Sequence, residues 1–119
     1  MFMETKRSSP NMEIIDELVN AFDSKFFKTL SEPVRVEILK FIILNGRADI
    51  GTIAENMPQD RSVISRHLNL MQEVGILNCQ KEGRQIFYEI NGRVFLDKLQ
   101  NITDLLRKCM AECCRLCLD

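Results

Sequence analysis

Two short apolar-periodic stretches, parted by a proline, constrain this chain more than any other feature. In "DIGTIAENM" the side chains of Ile50, Ile53 and Ala54 share one helical side, and Pro58 stops the helix. In "QDRSVISRHLNLMQEVGIL" a helix capped by Asp60 turns Val63, Ile64, Leu68 and Met71 inward, and Gly75 ends it. Joined by a tight turn, the two read as a helix-turn-helix. The hydrophobic period then drops from that of a helix to that of a strand. "ILNCQ" and "QIFYEI" flank "KEGR", where Gly83 can supply the positive φ of a hairpin turn. A hairpin directly behind the second helix reads as a wing.

The flanks are helical. "SEPVRVEILKFIIL" predicts a helix with Ser31 at its N-cap and Pro33 in its first turn. Val34, Ile38, Phe41 and Ile42 line its inner face, and Gly46 closes it. Upstream, Ile14, Ile15, Leu18, Val19 and Phe22 recur at helical spacing from Met12 onward. A last helix opens near Asn91 and carries Phe95, Leu99, Ile102, Leu106, Cys109, Cys113 and Leu116. Their gaps alternate between four and three, the spacing of a helix–helix seam. The expected fold is mainly α with a small β-hairpin: a winged helix-turn-helix that dimerises through its N- and C-terminal helices. Residues 1–11, polar and containing Ser and Pro, are expected as a flexible segment before one domain over 12–119.

Composition narrows the setting. The apolar run 38–44 is interrupted by Lys40 and is too short to span a bilayer, so no membrane partner is expected. The N-terminal basic residues lack a following apolar stretch, so a cytoplasmic protein is expected. In that reducing setting an odd count of five cysteines points to ligands or redox centres rather than a disulfide framework. A net charge of −1 does not advertise nucleic acid binding, although residues 57–93 carry five cations against four anions.

On the helix from Arg61, the residues that the core does not need are Arg61, Ser62, Ser65, Arg66, His67, Asn69 and Gln72. Arginine suits guanine edges and phosphates, while Ser, Asn and His are short hydrogen-bonding groups suited to a major groove. A polar outer face is also what ordinary surface helices carry. The DNA reading therefore rests on the conjunction of that face with the helix-turn-helix order and the wing, where Lys81 and Arg84 flank Gly83. The candidate DNA-binding residues are Arg61, Ser62, Ser65, Arg66, His67, Asn69, Lys81 and Arg84.

"LSEPVRVEILKFI", "DRSVISRHLNLMQEVGIL" and "KEGRQIFYEIN", in that order, resemble the ArsR/SmtB family of winged-helix, metal-sensing repressors. The resemblance spans roughly residues 27–106, and the run Ser65-Arg66-His67-Leu68 followed by Gly75 is its most specific part. It implies a homodimer with the first and last helices at the interface, bound to double-stranded operator DNA until an inducer releases it. By position it sets Ser62, Ser65, Arg66 and His67 on the DNA side; Arg61 and Asp60 stand where the family often has Gln and Ser. One family inducer site uses thiols on the helix before the recognition helix, and "ADIGTIAENM" has none. Another uses Asp and His on the last helix, where Asp97 could match the carboxylate but no histidine exists.

Soft ligands gather instead in "KCMAECCRLCLD". At about 100° per residue, Cys109, Cys113 and Cys117 advance in steps of roughly 40°, and Cys114 lies about 60° beyond Cys117. These four are the candidate metal ligands. Three thiolates suit As(III) or Sb(III), and four suit Cd or Zn. Oxidants or reactive sulfur are the alternative inducers, since neighbouring thiols can form disulfides or persulfides. Cysteines also pack as small hydrophobes, so a DNA-binding dimer with inert thiols is the structural alternative. An enzyme is not expected: the chain has one histidine, and the spacing of Cys114 and Cys117 lacks a thioredoxin-like setting.

Overall fold

The computed structural model describes residues 10–112. Its elements are α1 (Pro10–Phe22), α2 (Lys25–Thr29), α3 (Pro33–Asn45), β1 (Ala48–Asp49), α4 (Ile50–Glu55), α5 (Arg61–Glu73), β2 (Leu77–Glu82), β3 (Gln85–Ile90) and α6 (Gly92–Glu112). They fall into two compact units, Lys25–Phe95 and one made by α1 with α6 from Leu96 onward.

The unit Lys25–Phe95 is built on aliphatic side chains at helical spacing. Ile38 and Ile42 of α3, Ile53 of α4, and Ile64, Leu68 and Met71 of α5 are all fully withdrawn from solvent. Spaced by three and four residues, the α5 trio makes one stripe, so the opposite side is left to polar residues. Phe26 of α2 joins this core edge-on to Phe95, with ring centres 4.9 Å apart. Helix α2 is an element that the sequence reading leaves as a connection.

Helix α3 begins one residue later than its sequence suggests. Glu32, not Ser31, is the N-cap: its Oε1 accepts from the Val34 amide at 3.0 Å. The Ser31 hydroxyl donates backwards to the Lys28 carbonyl at 2.7 Å, which commits it to the end of α2. A carboxylate and a hydroxyl compete for the same role here, and α2, absent from the sequence reading, takes the hydroxyl. Upstream, α1 opens at Pro10, two residues before the expected Met12.

Helix α5 passes into the wing through one tight turn. Gly75 adopts φ +90° and donates to the Gln72 carbonyl, while the Ile76 amide reaches the Met71 carbonyl at 2.8 Å. This is a Schellman closure, which needs a left-handed residue at Gly75, and it delivers the buried Ile76 into the core. The wing then pairs Leu77 with Ile90 through Glu82 with Gln85, with Gly83 at the tip at φ +65°. The sheet has three strands rather than the hairpin's two, in the order β1-β3-β2, because Ala48 pairs with Tyr88 and Asp49 with Phe87. Two residues are too few for a periodic signal, which is why β1 is invisible in the sequence. Cys79 of β2 stands opposite Tyr88, free and exposed.

In the other unit the seam expected of α6 is divided between buried and exposed positions. Leu105 and Cys109 are the buried residues of α6, and Leu106 and Leu99 are 43% and 50% exposed. On α6 the positions 105, 109 and 102, followed by 106, 99 and 96, spread over an arc of about 180° that also takes in Lys98 and Thr103. The chain itself covers only the first half of that arc. Among the described residues, no helix is long and apolar enough to cross a membrane.

Replacing Leu68 with Ala should cost about 2–5 kcal/mol, because the α5 stripe has no neighbour free to fill the space. Replacing the adjacent, exposed Asn69 with Ala should change stability by no more than about 0.5 kcal/mol. Urea unfolding followed by circular dichroism measures both, and equal effects would contradict this orientation of α5.

Candidate nucleic-acid interface

With Ile64, Leu68 and Met71 turned inward, α5 presents Arg61, Ser62, Arg66, Asn69 and Gln72 to solvent, with Ser65 half-buried between them. Asp60 holds the N-cap position in extended backbone (φ −62°, ψ 152°), but its side chain makes no capping hydrogen bond. The start of α5 is therefore left without a side-chain cap beside Arg61, an arrangement that favours an anion such as a phosphate.

The wing folds back toward this helix. Arg61, Ser65 and Asn69 of α5 and Arg84, Gln85, Ile86 and Tyr88 of the wing line one cleft of about 320 Å³, closed at its side by Asp49 and Ile50. Four sequence-predicted residues, Arg61, Ser65, Asn69 and Arg84, thus meet at a single concavity. Ser62 and Arg66 are exposed on α5 outside that cleft, and Lys81 is exposed on β2 next to the wing tip. Asp49 is occupied locally: its carboxylate accepts from the Thr52 hydroxyl at 2.5 Å, which holds it below the usual carboxylate range.

His67 is placed differently from its neighbours. It is half-buried, and its Nδ1 accepts from Nε of Arg35 on α3 at 3.1 Å. Arg35 also donates through Nη1 to the Thr29 carbonyl at 3.2 Å, so one guanidinium links the end of α2, α3 and the recognition helix. Sequence reasoning assigns His67 outward and does not single out Arg35. An Arg–His pair 32 residues apart leaves no local pattern. Arg47, also absent from the sequence reading, donates in a two-pronged bridge to Glu82 at 2.6 and 2.8 Å.

Among the candidate metal ligands, Cys109 is a free, buried cysteine of α6. Cys113, Cys114 and Cys117 lie outside the described residues. Among the described residues, no three His, Cys, Asp or Glu side chains gather to hold a metal ion.

Comparison with known proteins bears on the same segment. Residues 32–78 match the model for bacterial regulatory proteins of the arsR family. The chain is 34% identical over 67 residues to an uncharacterized HTH-type transcriptional regulator of Methanocaldococcus jannaschii, covering 56% of this chain and 75% of that protein. It is 29% identical over 82 residues to the transcriptional repressor SdpR of Bacillus subtilis, covering 69% and 90%. It is 31% identical over 68 residues to a cadmium resistance transcriptional regulatory protein CadC homolog of Staphylococcus aureus, covering 57% and 56%. Among solved structures, an ArsR-like transcriptional regulator from Rhodococcus sp. RHA1 superposes with a TM-score of 0.63 at 28% identity, over 81% of this chain and 85% of that one.

The Arg35–His67 bond makes a testable demand on pH. Burial, then the Arg35 cation and more weakly Arg66, hold the imidazole below its usual value of 6.5, against a smaller opposing pull from Glu32. The unfolded chain accepts a proton near pH 6.5 while the folded chain still resists it. This contribution to stability is therefore full above pH 6.5 and is lost as acid carries the pH down through the lower folded value. Urea midpoints should fall between pH 7.5 and 5 more in the native chain than in His67→Gln, which keeps an acceptor without titrating. Parallel falls would remove His67 from this role.

Proposed function

The chain belongs to the arsR family of bacterial regulatory proteins, and we propose that it acts as a dimeric repressor released from operator DNA by a thiophilic inducer. Its family is one of transcriptional regulators, not enzymes. The observation that carries the DNA reading is the cleft where Arg61, Ser65 and Asn69 of α5 meet Arg84 of the wing. In this reading α5 enters the major groove, with Arg61, Ser62, Ser65, Arg66 and Asn69 toward bases and phosphates. Lys81 and Arg84 take backbone phosphates from the wing. His67 orients α5 through Arg35 and leaves base contact to its neighbours.

Dimerisation has its own support. Val19 and Phe22 of α1 and Leu96, Leu99 and Leu106 of α6 are 43–68% exposed, an apolar surface that a second copy of the chain would cover. Replacing Leu99 with Glu should shift sedimentation from dimer to monomer and abolish operator binding with it. A variant that stays dimeric would move the interface elsewhere.

The inducer is read as arsenite or antimonite, held by thiolates of Cys109, Cys113, Cys114 and Cys117. Cys109 is 8% exposed, so its thiolate can bind an ion only if the end of α6 gives up part of its packing. That requirement couples binding to the helix that carries the dimer surface, and a changed dimer spaces its two recognition helices wrongly for an operator. The cadmium-resistance relative favours Cd(II) as the second candidate, for which four thiolates are a fitting set.

Fluorescence anisotropy of the reduced protein on DNA upstream of its own gene, at fixed salt, tests the reading. Arsenite should weaken binding about 5–150-fold, the usual span of allosteric coupling. Cys113→Ser with Cys114→Ser should bind DNA as before and ignore arsenite. Release by cadmium alone would replace the inducer; release reversed by a reductant without a chelator would mark a redox sensor. Unchanged regulation in the double variant would make the thiols structural.

A further inference from the structure

Beyond Leu77, every residue of β2 is exposed, so the rest of the outer wing strand has no buried side chain to anchor it. A two-stranded ribbon of this kind is marginal in water. The wing nevertheless has a fastening. Arg47 follows Gly46 and immediately precedes β1, so its backbone is fixed at one edge of the sheet. Its side chain crosses the exposed face, with the guanidinium carbon 4.1 Å from the centre of the Phe87 ring on the central strand β3. Nη1 and Nη2 then donate to Oε2 and Oε1 of Glu82 at 2.6 and 2.8 Å. One side chain spans all three strands, and it ends on the residue just before the Gly83 tip.

We infer that Arg47 is a positioning residue for DNA binding, a clamp that fixes the wing tip, with Lys81 and Arg84, before DNA arrives. The inference rests on the reading that the wing meets DNA. Three features set Arg47 apart from a phosphate contact. Its charge is matched by the Glu82 carboxylate, which it holds below the usual carboxylate range. Two of its donors are already engaged, and its flat face rests on an aromatic ring. The clamp also neutralises Glu82, which would otherwise set a negative charge against phosphates between Lys81 and Arg84. A planar fork that stacks and bridges at once is arginine chemistry; a lysine keeps the charge but supplies neither the fork nor the plane. Ordering the tip beforehand removes part of the entropy that binding would otherwise lose.

Arg47→Lys therefore separates the roles. Binding is measured across a salt series on a duplex that the native protein selects from a randomised pool. Hydrogen exchange of amides 80–86 is followed in the DNA-free protein. The clamp predicts about three- to tenfold weaker binding for Arg47→Lys, with an unchanged salt slope and faster exchange in the wing but not in α5. Native affinity in Arg47→Lys, or unaltered wing exchange, overturns it. So does a salt slope lowered by about 0.9 in Arg47→Gln, the signature of one lost phosphate contact. If the native protein selects no duplex, the DNA reading itself falls, and the exchange comparison alone decides whether the clamp exists.

Discussion

The apolar stripe Ile64, Leu68 and Met71 governs what the rest of the molecule can do. All three side chains are fully buried, with Ile38 and Ile42 of α3 and Ile53 of α4 in the same core. A helix with 3.6 residues per turn cannot bury those positions without turning 62, 66 and 69 to solvent; Arg61, about 20° from Leu68 around the axis, is exposed as the first residue of α5. The outward orientation of Ser62, Arg66 and Asn69 is thus a by-product of hydrophobic burial. The Gly75 turn adds the second constraint, because a left-handed residue there brings the chain from the end of α5 into β2 within three residues. Helix and wing reach a common cleft through that turn.

The cations of this unit divide by employment. Arg35 is spent on Thr29 and His67, and Arg47 on Glu82 and Phe87. Arg61 and Arg84 line the cleft, and Arg66 and Lys81 stand exposed. Counting charges treats all of these alike, which is why a chain with a net charge of −1 gives so poor a hint of a DNA surface. What matters physically is which guanidinium groups have no carboxylate or carbonyl already satisfying them. Exposed ion pairs contribute little to stability, and the Arg47–Glu82 pair has side chains 41% and 42% exposed. Its weight lies in geometry: the two-pronged bridge selects one wing position from a family of nearly equal ones.

Legibility in the sequence followed the range of the interaction. The helix-turn-helix, the wing and the stop at Gly75 depend on neighbours within a few residues and were readable from period and turn chemistry. So were Ser65 and Asn69, which inherit their orientation from the stripe, and Arg61, which opens the helix. The missed features all depend on distant partners. Strand β1 exists because Ala48 finds Tyr88, forty residues away, and Arg35 finds His67 across 32. Ser31 was misassigned because α2, too short for a periodic signal, claims its hydroxyl. On α6 the heptad pattern chose Leu106, whereas Leu105 is buried, because the apolar arc is wide enough to hold two stripes and spacing alone cannot rank them.

That wide arc ties the proposed sensing to the proposed dimer. Leu105 and Cys109 occupy its inner edge, and Leu96, Leu99 and Leu106 its outer, exposed half. A side chain within one turn of both a buried and an exposed leucine, here Leu105 and Leu106, is one whose displacement both must feel. Cys109 has that position, and cysteine is suited to it: as a thiol it packs like a small hydrophobe, and as a thiolate it is a soft ligand. The two states of one sulfur favour different surroundings, apolar packing in one case and a charged coordination sphere in the other. An ion that captures the thiolate withdraws an apolar atom from the interior of α6, while the exposed leucines share the same helical backbone. Under the proposed sensing, no separate relay between sensor and interface is needed, because one short length of helix would serve as both.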